Sequence, residues 1–160
     1  MRTISQRSLL SPLSILVWVF AVAVGVNYFW EIGQGFLFEG MNSWENIWWH
    51  CFVASLGDGI ILWIIYAAGW VVFRRPDWFF DPQVKGYILM LIIGLIIAVV
   101  VEWVAVHMLQ RWSYAKAMPV IPVLNIGITP ILQMLLLPPI IFYVVAARFK
   151  ASRTSNGQQW

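Results

Sequence analysis

Four long apolar stretches, almost free of charge, limit what this chain can fold into. They run over residues 13–37, 48–73, 87–109 and 120–147. A helix needs about 20 apolar residues to cross the hydrocarbon core of a bilayer, and each stretch is long enough. Only 11% of the 160 residues are charged, whereas a soluble domain usually carries about 25% charged residues. The sequence therefore predicts an all-α, polytopic membrane protein, with four spans forming one domain over residues 1–160.

Basic residues are concentrated on one side of these stretches. Those beside the chain ends or between the second and third stretches are Arg2, Arg7, Arg74, Arg75, Lys85, Arg148, Lys150 and Arg153. The connection "FEGMNSWENIWW" contains no basic residue, and the remaining one contains only Arg111 and Lys116. The positive-inside rule therefore predicts an inner (plasma) membrane protein with both termini in the cytoplasm. The basic residues form no stripe or motif that would indicate a nucleic-acid partner.

The fourth stretch contains several prolines and allows two interpretations. In "MPVIPVLNIGITPILQ" the pattern favours an irregular apolar segment, then a helix with Thr129 as its cap and Pro130 as its first residue. The irregular segment would have to fold back inside the protein, because bare backbone cannot face lipid. The alternative is one helix kinked at its prolines. Since all connections are short, the four spans are expected to pack as an up-down four-helix bundle.

The eleven tryptophans can be divided by their position along the predicted spans. Trp44, Trp48, Trp49 and Trp112 are placed at the outer boundary and Trp78 at the inner one. Aromatic belts at the two membrane surfaces are typical of proteins whose partner is the lipid bilayer. A packing role is expected for the tryptophans within spans, which include Trp30, Trp63, Trp70 and Trp103.

Three acidic residues lie inside predicted spans, and all three fall in the outer half. Counting inward from the outer ends at helical rise, Glu31 lies about 9 Å deep, Asp58 about 15 Å and Glu102 about 11 Å. Each ionised carboxylate near a bilayer centre costs about 2.5–3.5 kcal/mol on insertion scales. No Lys or Arg lies within the predicted spans. The acids must therefore be protonated, hydrated, paired with histidine or bound to a cation.

These acids are the candidate catalytic residues of an outward-facing pocket. Asn27, Glu31 and Gln34 follow i, i+4, i+7 spacing and share one helix face. Tyr114 and Met118 lie in the second outer connection, where they could close the pocket as a lid. The candidate ligand-binding residues are Asn27, Gln34, His50, Trp103, His107, Tyr114, Met118, Asn125 and Gln133. The leading hypothesis is that Glu31 and Glu102 exchange a proton with a lipophilic small molecule, and that Asp58 or His50 tunes them.

Other functions stay open at this point. His50, Asp58, Glu102 and His107 supply nitrogen and oxygen ligands that suit a transition metal, but no HExxH or ExxH spacing supports such a site, and no metal ligand is assigned. A cofactor is not indicated. The chain could instead be an accessory subunit of a larger membrane complex, or it could move protons or cations as a homo-oligomer.

Three segments carry a resemblance to a known group of proteins. They are "NYFWEIGQGFLFEGM", "HCFVASLGDGI" and "VEWVAVHMLQRWSYAKAMPVIPVLNIGITPILQMLLLPP". Between about Asn27 and Pro139 the chain resembles a functionally unassigned family of small bacterial four-span integral membrane proteins. The positions that match that family's tract are Glu31, Asp58, Glu102, Trp112, Tyr114, Met118, Pro119 and Gln133. The resemblance implies a bacterial origin and a four-span topology, and it implies no chemistry.

Overall fold

The computed structural model describes residues 12–41 and 43–155. Its four long helices are α1 (Pro12–Gln34), α2 (Trp44–Phe73), α3 (Gln83–Trp103) and α4 (Ile128–Ser155). Segments long and apolar enough to cross a membrane are Pro12–Leu37, Asn46–Phe73, Gln83–Met108 and Ile128–Ser152. The predicted all-α, four-helix multi-pass architecture is confirmed at this level. Arg2 and Arg7, which entered the orientation argument, lie outside the described residues.

The helices pack in pairs around a shared core. α1 packs against α2 and α4, and α3 packs against α4 and α2. Short 3-10 turns follow α1 (Gly35–Leu37) and precede α3 (Trp78–Phe80), and a π-helical turn (Val104–Met108) extends α3. The end of the bundle that holds residues 74–82 is called the Trp78 end below. The opposite end, which holds residues 35–41, 43 and 109–127, is called the Tyr114 end.

Trp78 lies in the core, and its predicted place in an aromatic belt is wrong. Its side chain is only 1% exposed, and its indole Nε1 donates a 3.1 Å hydrogen bond to the backbone O of Tyr66. The ring also covers Gly69, where an added Cβ would overlap the indole. Phe142 of α4 packs 5.5 Å from the Trp78 ring, centroid to centroid. Trp78 therefore ties α2 to α4 where the sequence suggested a contact with the membrane surface.

The fourth segment begins with a hairpin. Strands β1 (Val120–Ile121) and β2 (Ile126–Gly127) pair in antiparallel register, and α4 starts only at Ile128. Of the two alternatives, the irregular segment followed by a helix agrees with these bounds, so residues 120–127 are not part of a helical span. Pro130 falls in the first turn of α4, where the N–H that it lacks would have no helical partner. The expected cap Thr129 directs its hydroxyl to the sulfur of Met118, at 3.3 Å.

Two connections are joined by backbone hydrogen bonds at the Tyr114 end. The N–H of Glu39 donates to the O of Ser113, and the N–H of Ala115 donates to the O of Leu37, both at 2.9 Å. These bonds flank an antiparallel bridge between Phe38 and Tyr114. The Phe38–Tyr114 bridge fixes the loop after α3 to the end of α1, and it places Tyr114 beside the bundle interior.

Candidate functional site: a buried carboxyl and amide network

Gln133 joins three helices through its side-chain amide. It lies in the second turn of α4 and is 2% exposed. Its Nε2 donates to Oδ1 of Asn27 in α1 at 2.8 Å and to Oδ2 of Asp58 in α2 at 2.9 Å. An amide NH₂ has two donors, and both are used here. Gln133 is therefore the centre of a polar network inside an otherwise apolar bundle.

A second glutamine extends the network to Glu31. Gln34 Nε2 donates to Oε1 of Gln133 and to Oε1 of Glu31, each at 3.0 Å. The indole Nε1 of Trp30 donates to Oε1 of Gln34 at 3.2 Å. Glu31 and Asp58 are thus connected through two amides, Gln34 and Gln133, which we call the amide bridge. Both amides act as donor and acceptor at once, so this connection between the two acids is fully hydrogen-bonded.

The α1 part of the network follows directly from helical spacing. Asn27, Glu31 and Gln34 lie on one face, as their i, i+4, i+7 positions predict. Asn27 and Gln34 are buried, and Glu31 is half-buried. Asn27 directs its own amide N–H to the O of Ala23 at 2.8 Å, which leaves its Oδ1 to receive Gln133. Two turns of α1 therefore present three polar side chains toward the bundle interior.

The third acid is held by a phenol. Glu102, near the end of α3, is 5% exposed, and its Oε2 accepts a hydrogen bond from the hydroxyl of Tyr114. The same hydroxyl accepts a 2.8 Å bond from the backbone N–H of Gly127. Burial raises the pKa of Tyr114, and the hydrogen bond to Glu102 raises it further. The phenol therefore stays a neutral donor well above its ordinary titration range.

Gly127 occupies a position that has room for no side chain. A Cβ built there would lie 3.2 Å from Cε1 of Tyr114 and 3.1 Å from Sδ of Met118. Contacts that close require the neighbours to shift. The absence of a side chain at Gly127 therefore allows its N–H to approach the phenol, and it aligns β2 with the Tyr114 ring.

Among residues 12–41 and 43–155, the three acids interact with one another, and none receives a hydrogen bond from a basic side chain. Asp58 interacts through space with both Glu31 and Glu102, and Glu102 interacts with Glu31. The hydrogen-bond donors to these carboxyl groups belong to Gln34, Gln133 and Tyr114, and all of them are neutral. Residues 12–73, 86–110 and 117–147 contain no Lys or Arg. A positive charge that reached this cluster would have to come from outside the protein interior.

Several predicted site residues lie away from the network. His50 is exposed and bonds through Nδ1 to the O of Asn46 at 2.7 Å. His107 is exposed, bonds through Nε2 to the O of Leu124 at 3.0 Å, and lies 5.7 Å from the ring of the exposed Trp103. Asn125 is exposed in the hairpin turn with φ 50. His107 lies in the π-helical turn that extends α3, and its bond to the O of Leu124 holds the ring at the hairpin turn.

Two tryptophans of the site were not assigned to it from the sequence. Trp30 was expected only to pack, and it donates to Gln34; its i−4 spacing from Gln34 is the only signal that could have indicated this contact. Trp112 was placed in a belt. Its indole Nε1 is buried near Glu102 and Tyr114 and makes no hydrogen bond of normal geometry within the described part of the chain. Trp112 thus adds an indole N–H to the surroundings of Glu102.

Met118 is buried beside Gly127, and its role as a lid stays a prediction. Within residues 12–41 and 43–155, no group of three or more His, Cys, Asp and Glu side chains is arranged to hold a metal ion.

No protein-family model, curated protein or solved structure matches this chain. The family resemblance stays a prediction.

Proposed function

We propose that this chain is a multi-pass protein of the bacterial inner membrane whose buried carboxyl groups exchange a proton with a lipophilic small molecule. The observation that carries the proposal has two parts. Glu31 and Asp58 meet through the amide bridge, and Glu102 of a third helix interacts with both. Within the described residues, all three receive hydrogen bonds from neutral side chains. Ionisable side chains inside a membrane protein are costly and usually serve a function. A purely structural contact between helices would need fewer of them.

The geometry divides the acids into two groups with different roles. Oε2 of Glu102 accepts a hydrogen bond from the Tyr114 hydroxyl, so a ligand that displaced Tyr114 would meet a carboxyl oxygen that is free to accept a hydrogen bond from the ligand. Glu31 and Asp58 are connected by the amide bridge, which holds their oxygens in fixed directions. Glu102 and Glu31 are the proposed proton donor and acceptor, and Asp58, which interacts with both, adjusts their charge.

The test compares Glu102→Gln, Glu31→Gln and Asp58→Asn with the unaltered protein, each purified in mild detergent. Mass spectrometry of the lipophilic molecules that co-purify, with elemental analysis for metals, gives the readout. We expect at least one molecule to be retained by the unaltered protein and depleted in Glu102→Gln. The matched control is Glu39→Gln, because Glu39 is an exposed acid at the same end, bonded to Ser113.

The same retained molecules in all variants would contradict the proposal. If all acid variants fold and retain the same molecules as Glu39→Gln, the cluster only connects helices. The accessory-subunit hypothesis would then be the better one, and it would be examined by searching for partner chains in gently solubilised membranes. A stoichiometric metal that is lost in Glu102→Gln would instead favour the cation-binding alternative.

A further inference from the structure

A groove of about 300 Å³ lies at the Trp78 end, at the opposite end of the bundle from Glu102 and Tyr114. It runs between the first turns of α3 and the second half of α4. Its floor is formed by buried apolar side chains, including Phe79, Met90 and Phe142. Its rim carries Tyr87 and Tyr143, which are 43% and 69% exposed. The groove therefore has an apolar interior and an amphipathic edge, as a site for an acyl chain requires.

One end of this groove is positively charged. Lys150 lines it, and its Nζ donates to the backbone O of Phe80 at 3.1 Å. The exposed charged residues of this end within the described chain are Arg74, Arg75, Lys85, Arg148 and Lys150, with Asp77 and Asp81 as the acids. α3 begins beside the groove, at Gln83, and the N-terminus of a helix favours an anion. Lys150 and the N-terminus of α3 therefore favour negative charge at the groove, within an end of the bundle where basic residues outnumber acidic ones.

We propose that the groove binds one anionic phospholipid, with an acyl chain along the Phe79 and Phe142 floor and the phosphate beside Lys150. Tyrosines are enriched where a membrane protein meets the headgroup region, and Tyr87, one turn into α3, is exposed on the rim. Basic pockets between membrane helices select anionic headgroups. A zwitterionic lipid would bring a positive ammonium group toward Lys150, so the anionic lipid is preferred. This proposal does not depend on the function of the acid cluster.

The experiment uses the full chain in nanodiscs of equal phosphatidylglycerol and phosphatidylcholine content. The lipids that stay bound after release from the disc are measured by native mass spectrometry. We expect the unaltered protein to retain phosphatidylglycerol preferentially. Lys150→Gln should lower the ratio of retained phosphatidylglycerol to phosphatidylcholine about fivefold, the effect of one cation near an anionic lipid surface. Lys116→Gln, an exposed lysine at the Tyr114 end, should leave the ratio unchanged.

A second variant tests the contribution of the groove without changing any charge. Ala147 lies on the exposed rim, so Ala147→Trp fills the groove and keeps every charge; we expect it to lower the total retained lipid. If Ala147→Trp retained an unchanged amount of lipid, Lys150 would act only as a surface charge, and the proposal would be overturned. An unchanged ratio in a folded Lys150→Gln would overturn it as well. Competition by millimolar inorganic phosphate alone would also overturn it, because the site would then bind a free anion.

Discussion

The hydroxyl of Tyr114 is bonded on both sides, to the Glu102 carboxyl and to the Gly127 N–H. Tyr114→Phe removes it and leaves two buried polar groups without that partner. Each such loss costs about 1–3 kcal/mol, so we expect a clear fall in thermal stability in detergent. Tyr143→Phe is the control, because Tyr143 is 69% exposed and lies near the other end of the bundle. Equal stability of the two variants would show that the Tyr114 bonds contribute nothing.

The same phenol predicts a dependence on alkaline pH. Burial, and then the bond to Glu102, raise the pKa of Tyr114 above its ordinary value of 10.0. Above that pH the unfolded chain releases the phenolic proton while the folded chain keeps it, so the contribution of Tyr114 to stability is complete below pH 10.0 and decreases as the pH rises further. The stability difference between the unaltered protein and Tyr114→Phe should therefore shrink in this alkaline range. A constant difference would contradict the proposed neutral phenol.

Gln133 is the residue with the most connections in the network. Gln133→Leu keeps a similar volume and removes its hydrogen bonds to Asn27, Asp58 and Gln34. Because several buried groups lose a partner together, we expect a loss of about 3 kcal/mol or more in the free energy of unfolding. Leu132→Ala is the comparison, since Leu132 is the preceding residue of α4 and is 41% exposed. A smaller effect for Gln133→Leu than for Leu132→Ala would contradict this role.

Single residues also show which contacts of the site could be predicted from the sequence. Spacing was enough to place Asn27, Glu31 and Gln34 on one face, because neighbouring turns of a helix have fixed geometry. Spacing could not show that Gln133 would reach Asn27 across 106 positions, since this depends on how α4 packs. Trp78 was misplaced for the same reason. A tryptophan beside a predicted membrane surface fits an aromatic belt. The packing of the Trp78 ring against Gly69, which shows that the ring is buried, depends on the tertiary structure.

Among the elements, the hairpin before α4 shows why the sequence left two alternatives. Prolines in "MPVIPVLNIGITP" disfavour helix, but they do not say where the backbone groups find partners. The structure supplies them locally, for example from the Asn125 N–H to the O of Ile121 and from the Ile128 N–H to the O of Pro119, both at 2.8 Å. Such pairing allows an irregular segment to lie against the bundle.

The contact between α3 and α4 depends on a small residue. A Cβ built at Gly94 would lie 2.5 Å from the backbone O of Met134, so Gly94→Ala must push the two helices apart. Overpacking of this kind typically costs about 1–3 kcal/mol. Gly25→Ala in α1 is the matched control, because nothing lies within 4 Å of its added Cβ. That control should be neutral or stabilise by about 0.4–1 kcal/mol. Thermal unfolding of Gly94→Ala and Gly25→Ala in the same detergent measures both changes in stability.

For the whole molecule, the distribution of charge predicts its orientation in the membrane. The Trp78 end carries most of the basic residues, so it should face the cytoplasm. In a Cys51→Ser background, Lys116→Cys should react with a membrane-impermeant maleimide on intact cells. Asp81→Cys should react only after lysis; both positions are exposed. The reverse labelling pattern would invert the topology, and labelling of both in intact cells would contradict four spans.

The Phe38–Tyr114 bridge also affects how any ligand could arrive. It joins the two connections at the end nearest the acids, and beneath it Asn27, Gln34, Glu102 and Gln133 are at most 6% exposed. Water has little access to these groups from that side. A molecule that reaches them would diffuse sideways out of the hydrocarbon phase between helices. Its occupancy would then follow its partition coefficient into the membrane, and its aqueous concentration would be a poor guide to binding.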